Sequence, residues 1–176
     1  QLKKEHPEYI LMGERNEMKP HGFDFGNSPT HLEAARLAGK TVVHTTSSGT
    51  QGIAAARVPE ILTGSFVNAG AIVRYIKERQ PETVSLVCMG YACEFATDED
   101  TFCAEYIRNE LNGLSSDFEQ MKSIISQGSG RRFFEPQKQE WSPRSDFDLC
   151  LRLNVFNFVL KVEDGNPYPF LKRINS

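Results

Sequence analysis

Short runs of branched apolar residues alternate along this chain with longer stretches whose apolar positions return every three to four residues. Tyr9-Ile10-Leu11-Met12, the run that opens at Thr41-Val42-Val43, Ile61-Leu62-Thr63 and residues 83–89 belong to the first kind, and each stops near glycine, serine or charge. They predict buried strands. Ser28 is placed to cap a helix that opens at Pro29 and runs to about Leu37. An Ala-rich helix follows Gly52. Ala69, Ile72, Val73 and Ile76 mark one face of a helix that Pro81 ends, and Phe102, Cys103, Tyr106, Ile107 and Leu111 mark the next. Phe118, Met121, Ile124 and Ile125 predict a packing helix, and residues 146–153 a short one. In the tail, 155–162 and 168–174 flank Glu163-Asp164-Gly165-Asn166 and read as a β-hairpin.

Four strand–loop–helix units in succession predict an α/β fold. The expected form is a three-layer α/β/α domain over 1–176, with a mostly parallel central sheet and the hairpin adding antiparallel strands at one side. In such a sheet the loops leave the carboxyl ends of the strands and face one crevice.

Those loops carry the candidate chemistry. Thr45-Thr46-Ser47-Ser48-Gly49-Thr50 is a hydroxyl-rich turn between a strand and a helix start. Its backbone N–H groups and the helix dipole suit an anion, phosphate above all. An ordinary N-cap at Ser47 or Ser48 is the other reading. Glu14 and Arg15 close the first strand. Asp24 and Asn27 precede the Ser28 cap, which explains neither of them. Glu14 and Asp24 form a candidate Mg²⁺ pair, because magnesium is typically held by one or two carboxylates plus phosphate oxygens and water. Asn68 is a candidate cap or ligand contact. Asp98, Glu99 and Asp100 open a helix, where acids complement the dipole, yet Glu99 and Asp100 also suit water activation. Arg131, beside Arg132 in the Gly128-Ser129-Gly130 turn, suits a bidentate grip on an anion.

Composition narrows the partners. A net charge of −3 on 176 residues gives no basic excess for nucleic acid. No apolar run is long enough for a bilayer, so a cytoplasmic location is the default. The four cysteines (Cys88, Cys93, Cys103, Cys150) lack paired CxxC spacing, which favours reduced thiols, with Cys88 and Cys103 expected in the core. None has the arginine six positions on that a cysteine phosphatase needs. Ala38-Gly39-Lys40-Thr41 is not a Walker A motif, since Ala34 stands where it needs glycine. The chain opens without Met in front of an apolar strand, as a fragment of a longer domain would.

Gly13-Glu14-Arg15, Gly22-Phe23-Asp24-Phe25-Gly26-Asn27-Ser28-Pro29, Thr45-Thr46-Ser47-Ser48-Gly49-Thr50, Gly64-Ser65-Phe66-Val67-Asn68-Ala69 and Glu99-Asp100-Thr101-Phe102-Cys103-Ala104 occur in this order. In order and spacing they resemble the 2-phosphosulfolactate phosphatase family. The resemblance implies Mg²⁺-dependent hydrolysis of a small anionic phosphate ester, 2-phosphosulfolactate, to sulfolactate on the way to coenzyme M. Asp24, Glu99 and Asp100 become the catalytic candidates, and Glu14 with Asp24 the metal ligands. Arg15, Asn27, Thr46, Ser47, Ser48, Gly49, Thr50, Asn68 and Arg131 become the substrate contacts. Ser48 stands where the family commonly has Asn, and Glu105 where it has a glycine. The family's earlier Asp-Val-Leu-Arg-Ala-Ser/Thr strand is not in this sequence. Another small phosphorylated acid, or a non-catalytic phosphate-ester module, are the rival expectations, and a homo-oligomer is left open.

Overall fold

A computed structural model describes residues 2–175. After a short helix, α1 (Leu2–Glu5), come β1 (Ile10–Gly13), α2 (Pro29–Leu32), β2 (Val42–Thr45) and α3 (Gly49–Ala55). The β1 and β2 strands pair in parallel, from Ile10 opposite Val42 to Gly13 opposite Thr45. The free side of β1 is taken by the loop after it. Asp24 N–H and Phe25 N–H donate to Leu11 O at 3.0 and 3.1 Å, and Gly13 N–H donates to Phe25 O at 3.1 Å. Both sides of β1 are therefore hydrogen-bonded, and the Asp24–Asn27 loop is brought to the carboxyl end of the strand.

The second half of the chain makes β3 (Leu62–Thr63), α4 (Ala69–Arg79), α5 (Asp98–Leu111), α6 (Phe118–Gln127), α7 (Arg144–Cys150), β4 (Phe158–Glu163) and β5 (Phe170–Asn175). The tail hairpin forms as expected, with Phe158 opposite Asn175 and Glu163 opposite Phe170. Two expectations for the parallel sheet do not hold. First, β3 pairs antiparallel with β4, Leu62 opposite Lys161, rather than joining the β1–β2 pair. Antiparallel and parallel partners both satisfy its backbone, and the choice lies with the distant tail. Second, residues 83–89 have no ladder partner among the described residues. Val87 among them is 74% exposed. Their β-branched pattern favours a pleated surface, but a strand exists only where a neighbour completes its hydrogen bonds.

Helix ends shift as well. The helix opened by Pro29 stops at Leu32, and turns closed by Ala35 N–H to Leu32 O and Lys40 N–H to Leu37 O replace the predicted continuation to Leu37. Leu32 and Leu37 lie five apart and do not share a helical face. The last helix begins after Pro143 and ends at Cys150, short of residue 153. The α4 helix ends as expected, with left-handed Gln80 just before Pro81.

The buried core is built from α4, α5, α6, α7 and β4. Phe66, Tyr106 and Phe118 pack ring to ring at 5.1–6.3 Å between centroids, and Ile125 and Val159 are almost fully buried. No side chain of β1, β2 or α3 is among the buried hydrophobic residues. The parallel pair lies outside that core, with its own apolar residues half-buried. No helix among the described residues is long and apolar enough to cross a membrane. All four cysteines are free; Cys88 is exposed rather than in the core, because it lies on the unpaired 83–89 segment.

Candidate active site

The carboxyl ends of β1 and β2 hold the residues singled out by sequence most densely. Glu14 follows the last residue of β1, and its N–H donates to Thr45 O at 3.1 Å. Residues 15–18 then turn back sharply, with Asn16 and Glu17 both at positive φ and Arg15 bridging to Met18. This turn points the Glu14 carboxylate at the loop after β2. Oε1 accepts Ser47 N–H, while Oε2 accepts the Ser47 hydroxyl at 3.0 Å and Glu17 N–H at 3.1 Å. The Arg15 side chain bends the same way, donating Nη1 to Glu14 O at 2.8 Å and Nη2 to Thr45 Oγ1 at 2.7 Å.

The Thr45–Thr50 loop is stiffened from within. Thr46 N–H donates to Thr50 Oγ1 at 3.0 Å and Thr50 N–H to Thr46 Oγ1 at 3.1 Å. Thr46, rather than Ser47 or Ser48, therefore caps α3, and the Ser48 side chain makes no cap bond. Among the described residues no partner is found for Ser48 N–H, Gly49 N–H or the Ser48 hydroxyl. Cys93, held at φ +60° in the Gly90–Phe95 turn, rests its Sγ 3.7 Å from both Ser47 O and Ser48 O.

Asn27 approaches the rim through β2. His44 Nε2–H donates to Asn27 Oδ1 at 3.0 Å, which leaves the Asn27 amide N–H groups without a partner among the described residues. Desolvation lowers the His44 pKa below its usual value, against the opposing charge of Glu14, although the residue keeps exposed surface. A lowered histidine pKa means that the folded state binds fewer protons than the unfolded chain between the two values. Stability from neutral His44 is complete above about pH 6.5 and is lost as pH falls below it. The unfolding midpoint is expected to drop between pH 7.5 and 5.5, and to drop less in His44→Gln; equal slopes in the two chains would remove this contribution.

Other candidates are engaged elsewhere. The Asp24 carboxylate accepts Leu11 N–H at 2.8 Å and faces Lys3 Nζ at 3.5 Å. The Leu11 amide first, and Lys3 after it, lower the Asp24 pKa against desolvation. Leu11 lies three strand residues before Glu14, so the anchors of the two carboxylates are on the order of 10 Å apart. Among the described residues no group of three or more His, Cys, Asp or Glu could hold a metal ion. The donor set that Glu14 and Asp24 present does not fit a shared Mg²⁺ site.

Glu99 accepts the Ser129 hydroxyl and pairs with Arg132 at 3.2 Å, while Asp98 Oδ2 accepts Ser129 N–H at 2.9 Å. These acids tie the start of α5 to the end of α6. Asp100 Oδ2 accepts Gly90 N–H at 2.7 Å and so anchors the turn that carries Cys93. Buried Asn68 accepts Ser65 N–H and its hydroxyl at 3.1 and 2.9 Å and donates Nδ2 to Phe158 O at 3.5 Å, with no hydrogen bond to the Thr46–Thr50 loop among the described residues. Arg131 lies in a short 3-10 helix, Ser129–Phe134, which forms in place of the predicted turn.

The structure thus brings Glu14, Arg15 and the Thr45–Thr50 loop together and ties Asn27 to the end of β2 through His44; among the described residues it gives Asp24, Glu99, Asn68 and Arg131 no hydrogen bond to them. Sequence reasoning missed His44, Cys93 and Asp146. Strand alternation could have placed His44 beside the loop, but nothing local marks its partner Asn27.

The family described as 2-phosphosulpholactate phosphatase matches residues 1–165 of this chain. Proteins called "Probable 2-phosphosulfolactate phosphatase" are similar to it. The one from Thermotoga petrophila is 43% identical over 98 residues, 56% of this chain and 42% of that protein. The one from Pseudothermotoga lettingae is 32% identical over 175 residues, 93% of this chain and 76% of that protein. The Bacillus subtilis protein is 25% identical over 176 residues, with 98% and 76% covered. The match thus spans less than half of the Thermotoga protein and about three quarters of the other two. With the motifs in order and the family matching residues 1–165 of the 176, the chain belongs to the 2-phosphosulfolactate phosphatase family.

Proposed function

We propose that this chain carries a phosphoric monoester hydrolase activity on 2-phosphosulfolactate, releasing sulfolactate and phosphate in the cytoplasm as a step toward coenzyme M. The supporting observation is the set of unpartnered donors at Ser48 and Gly49, on a loop fixed by Thr46, Thr50 and Glu14. The phosphoryl group takes those N–H groups and the Ser48 hydroxyl. Donors already oriented by the fold stabilise charge that grows on the phosphoryl oxygens without reorganising during the reaction. Arg15 and the Asn27 amide are the rim groups for the sulfonate and carboxylate.

Magnesium belongs to the proposal as the family's expected cofactor, supplying charge neutralisation at the phosphate when bound. Glu14 and Asp24 do not form its site as they stand, so the reading rests on the donors and not on the acids. The finer architecture, a three-layer α/β/α domain, is part of the same reading.

The deciding measurement is phosphate release from 2-phosphosulfolactate by the chain with Mg²⁺ and with a chelator. Release is expected with magnesium and its loss with the chelator. Faster release from a carboxylate analogue would change the substrate. Ester binding without release, indifferent to chelator, would make the chain a binding module.

A further inference from the structure

Asp146 is the most deeply buried acid of the chain, with 3% of its surface exposed. It sits in the first turn of α7, far in sequence from the rim. Its Oδ1 accepts the Ser28 hydroxyl at 2.9 Å and Thr30 N–H at 2.9 Å. A second bond beside it, Thr30 Oγ1 with Ser145 Oγ at 2.7 Å, joins the same two segments. Ser28 is itself buried and caps α2 through His31 N–H at 3.4 Å. Both Asp146 bonds therefore land on the residues that immediately follow Asn27. A buried carboxylate with two charge-assisted bonds is a firm anchor, because losing either partner leaves a desolvated polar group unpaired.

Asn27 is held on its other side by His44 Nε2–H, which takes its Oδ1. With the backbone pinned through Ser28 and the carbonyl end pinned through His44, only the amide N–H groups of Asn27 remain to meet a ligand. We infer that Asp146 is a positioning residue for the candidate site, acting through Ser28 to hold Asn27 against His44 with its amide directed to substrate. The inference rests on the proposed phosphatase reading for its kinetic arm and stands apart from it in its spectroscopic arm.

The test compares the unaltered chain with Asp146→Asn, Ser28→Ala, Asn27→Ala and the double variant Asp146→Asn/Asn27→Ala. Asp146→Asn is expected to lower kcat/KM about tenfold, in line with misplacement of a binding group by under an ångström. The double variant is expected to lose no more than Asn27→Ala alone, since one contact is removed by two routes. Additive losses would overturn the inference, because a general loss of stability acts independently of Asn27. Should Asp146→Asn not fold, Ser28→Ala removes the same link and leaves the buried carboxylate its Thr30 N–H bond, and the same non-additivity with Asn27→Ala is required.

If the unaltered chain shows no turnover, the functional reading fails first and the second arm decides. The Asn27 side-chain amide and His44 Nε2 resonances of the folded chain are then compared in Asp146→Asn or Ser28→Ala. Shifts at both are expected; resonances unchanged at both positions would sink the inference.

Discussion

Gly13→Ala is expected to destabilise the chain by at least about 3 kcal/mol and to abolish the geometry of the candidate site. Gly13 has φ +145°, and a Cβ there would lie 1.9 Å from Thr45 O. That oxygen is fixed backbone, opposite Gly13 in the β1–β2 register and accepting Glu14 N–H. Nothing flexible can yield, so the strands must separate just where Glu14 and the Thr45–Thr50 loop are set. Gly39→Ala is the control: its φ is +73°, but no atom lies within 4 Å of the added carbon. It should cost only about 1–2 kcal/mol, the usual penalty of a left-handed residue. Chemical unfolding of both variants decides; equal losses would mean that the close approach at Gly13 does not constrain the strands.

Glu14→Gln is expected to reduce phosphate release by about 10²-fold or more while leaving the core folded. The glutamate accepts from three donors, Ser47 N–H, the Ser47 hydroxyl and Glu17 N–H. Glutamine offers one oxygen and turns an NH₂ group toward donors, so at least one bond becomes a donor–donor contact. Ser47 then loses its fixed orientation, and the adjoining Ser48 and Gly49 donors lose theirs. The core lies around α4, α5 and β4, which Glu14 does not touch, so far-UV and near-UV signals should persist. Full activity in a folded Glu14→Gln chain would show that the bonds between the two loops are dispensable.

The readability of the site followed how local each contact is. Glu14, Arg15 and Thr46–Thr50 were legible because a strand end and the loop of the neighbouring strand meet wherever two strands run parallel. The Ser28–Pro29 helix start was legible for the same local reason. Asp24 was only partly legible. It has the chemistry of a metal ligand, and it lies beside β1 three strand residues before Glu14, where Leu11 N–H and Lys3 meet its carboxylate. Glu99 likewise reads as a free acid at a helix start, and only the packing of the Ser129–Phe134 3-10 helix supplies Ser129 and Arg132. Cys88 has the profile of a small core residue, yet the strand it was expected to occupy has no ladder partner among the described residues.

By itself the sequence determined the family, the helices α4, α5 and α6, the tail hairpin and the hydroxyl-rich turn. Period, caps and turn residues act over a few positions, and the motif order needs no coordinates. The tertiary structure alone decided that β3 turns to β4, that 83–89 stays unpaired, and that Asp146 reaches Ser28 from 118 positions away. Pairing and burial depend on which surfaces meet across the whole chain, and a backbone hydrogen bond carries no label of its partner's place in the sequence.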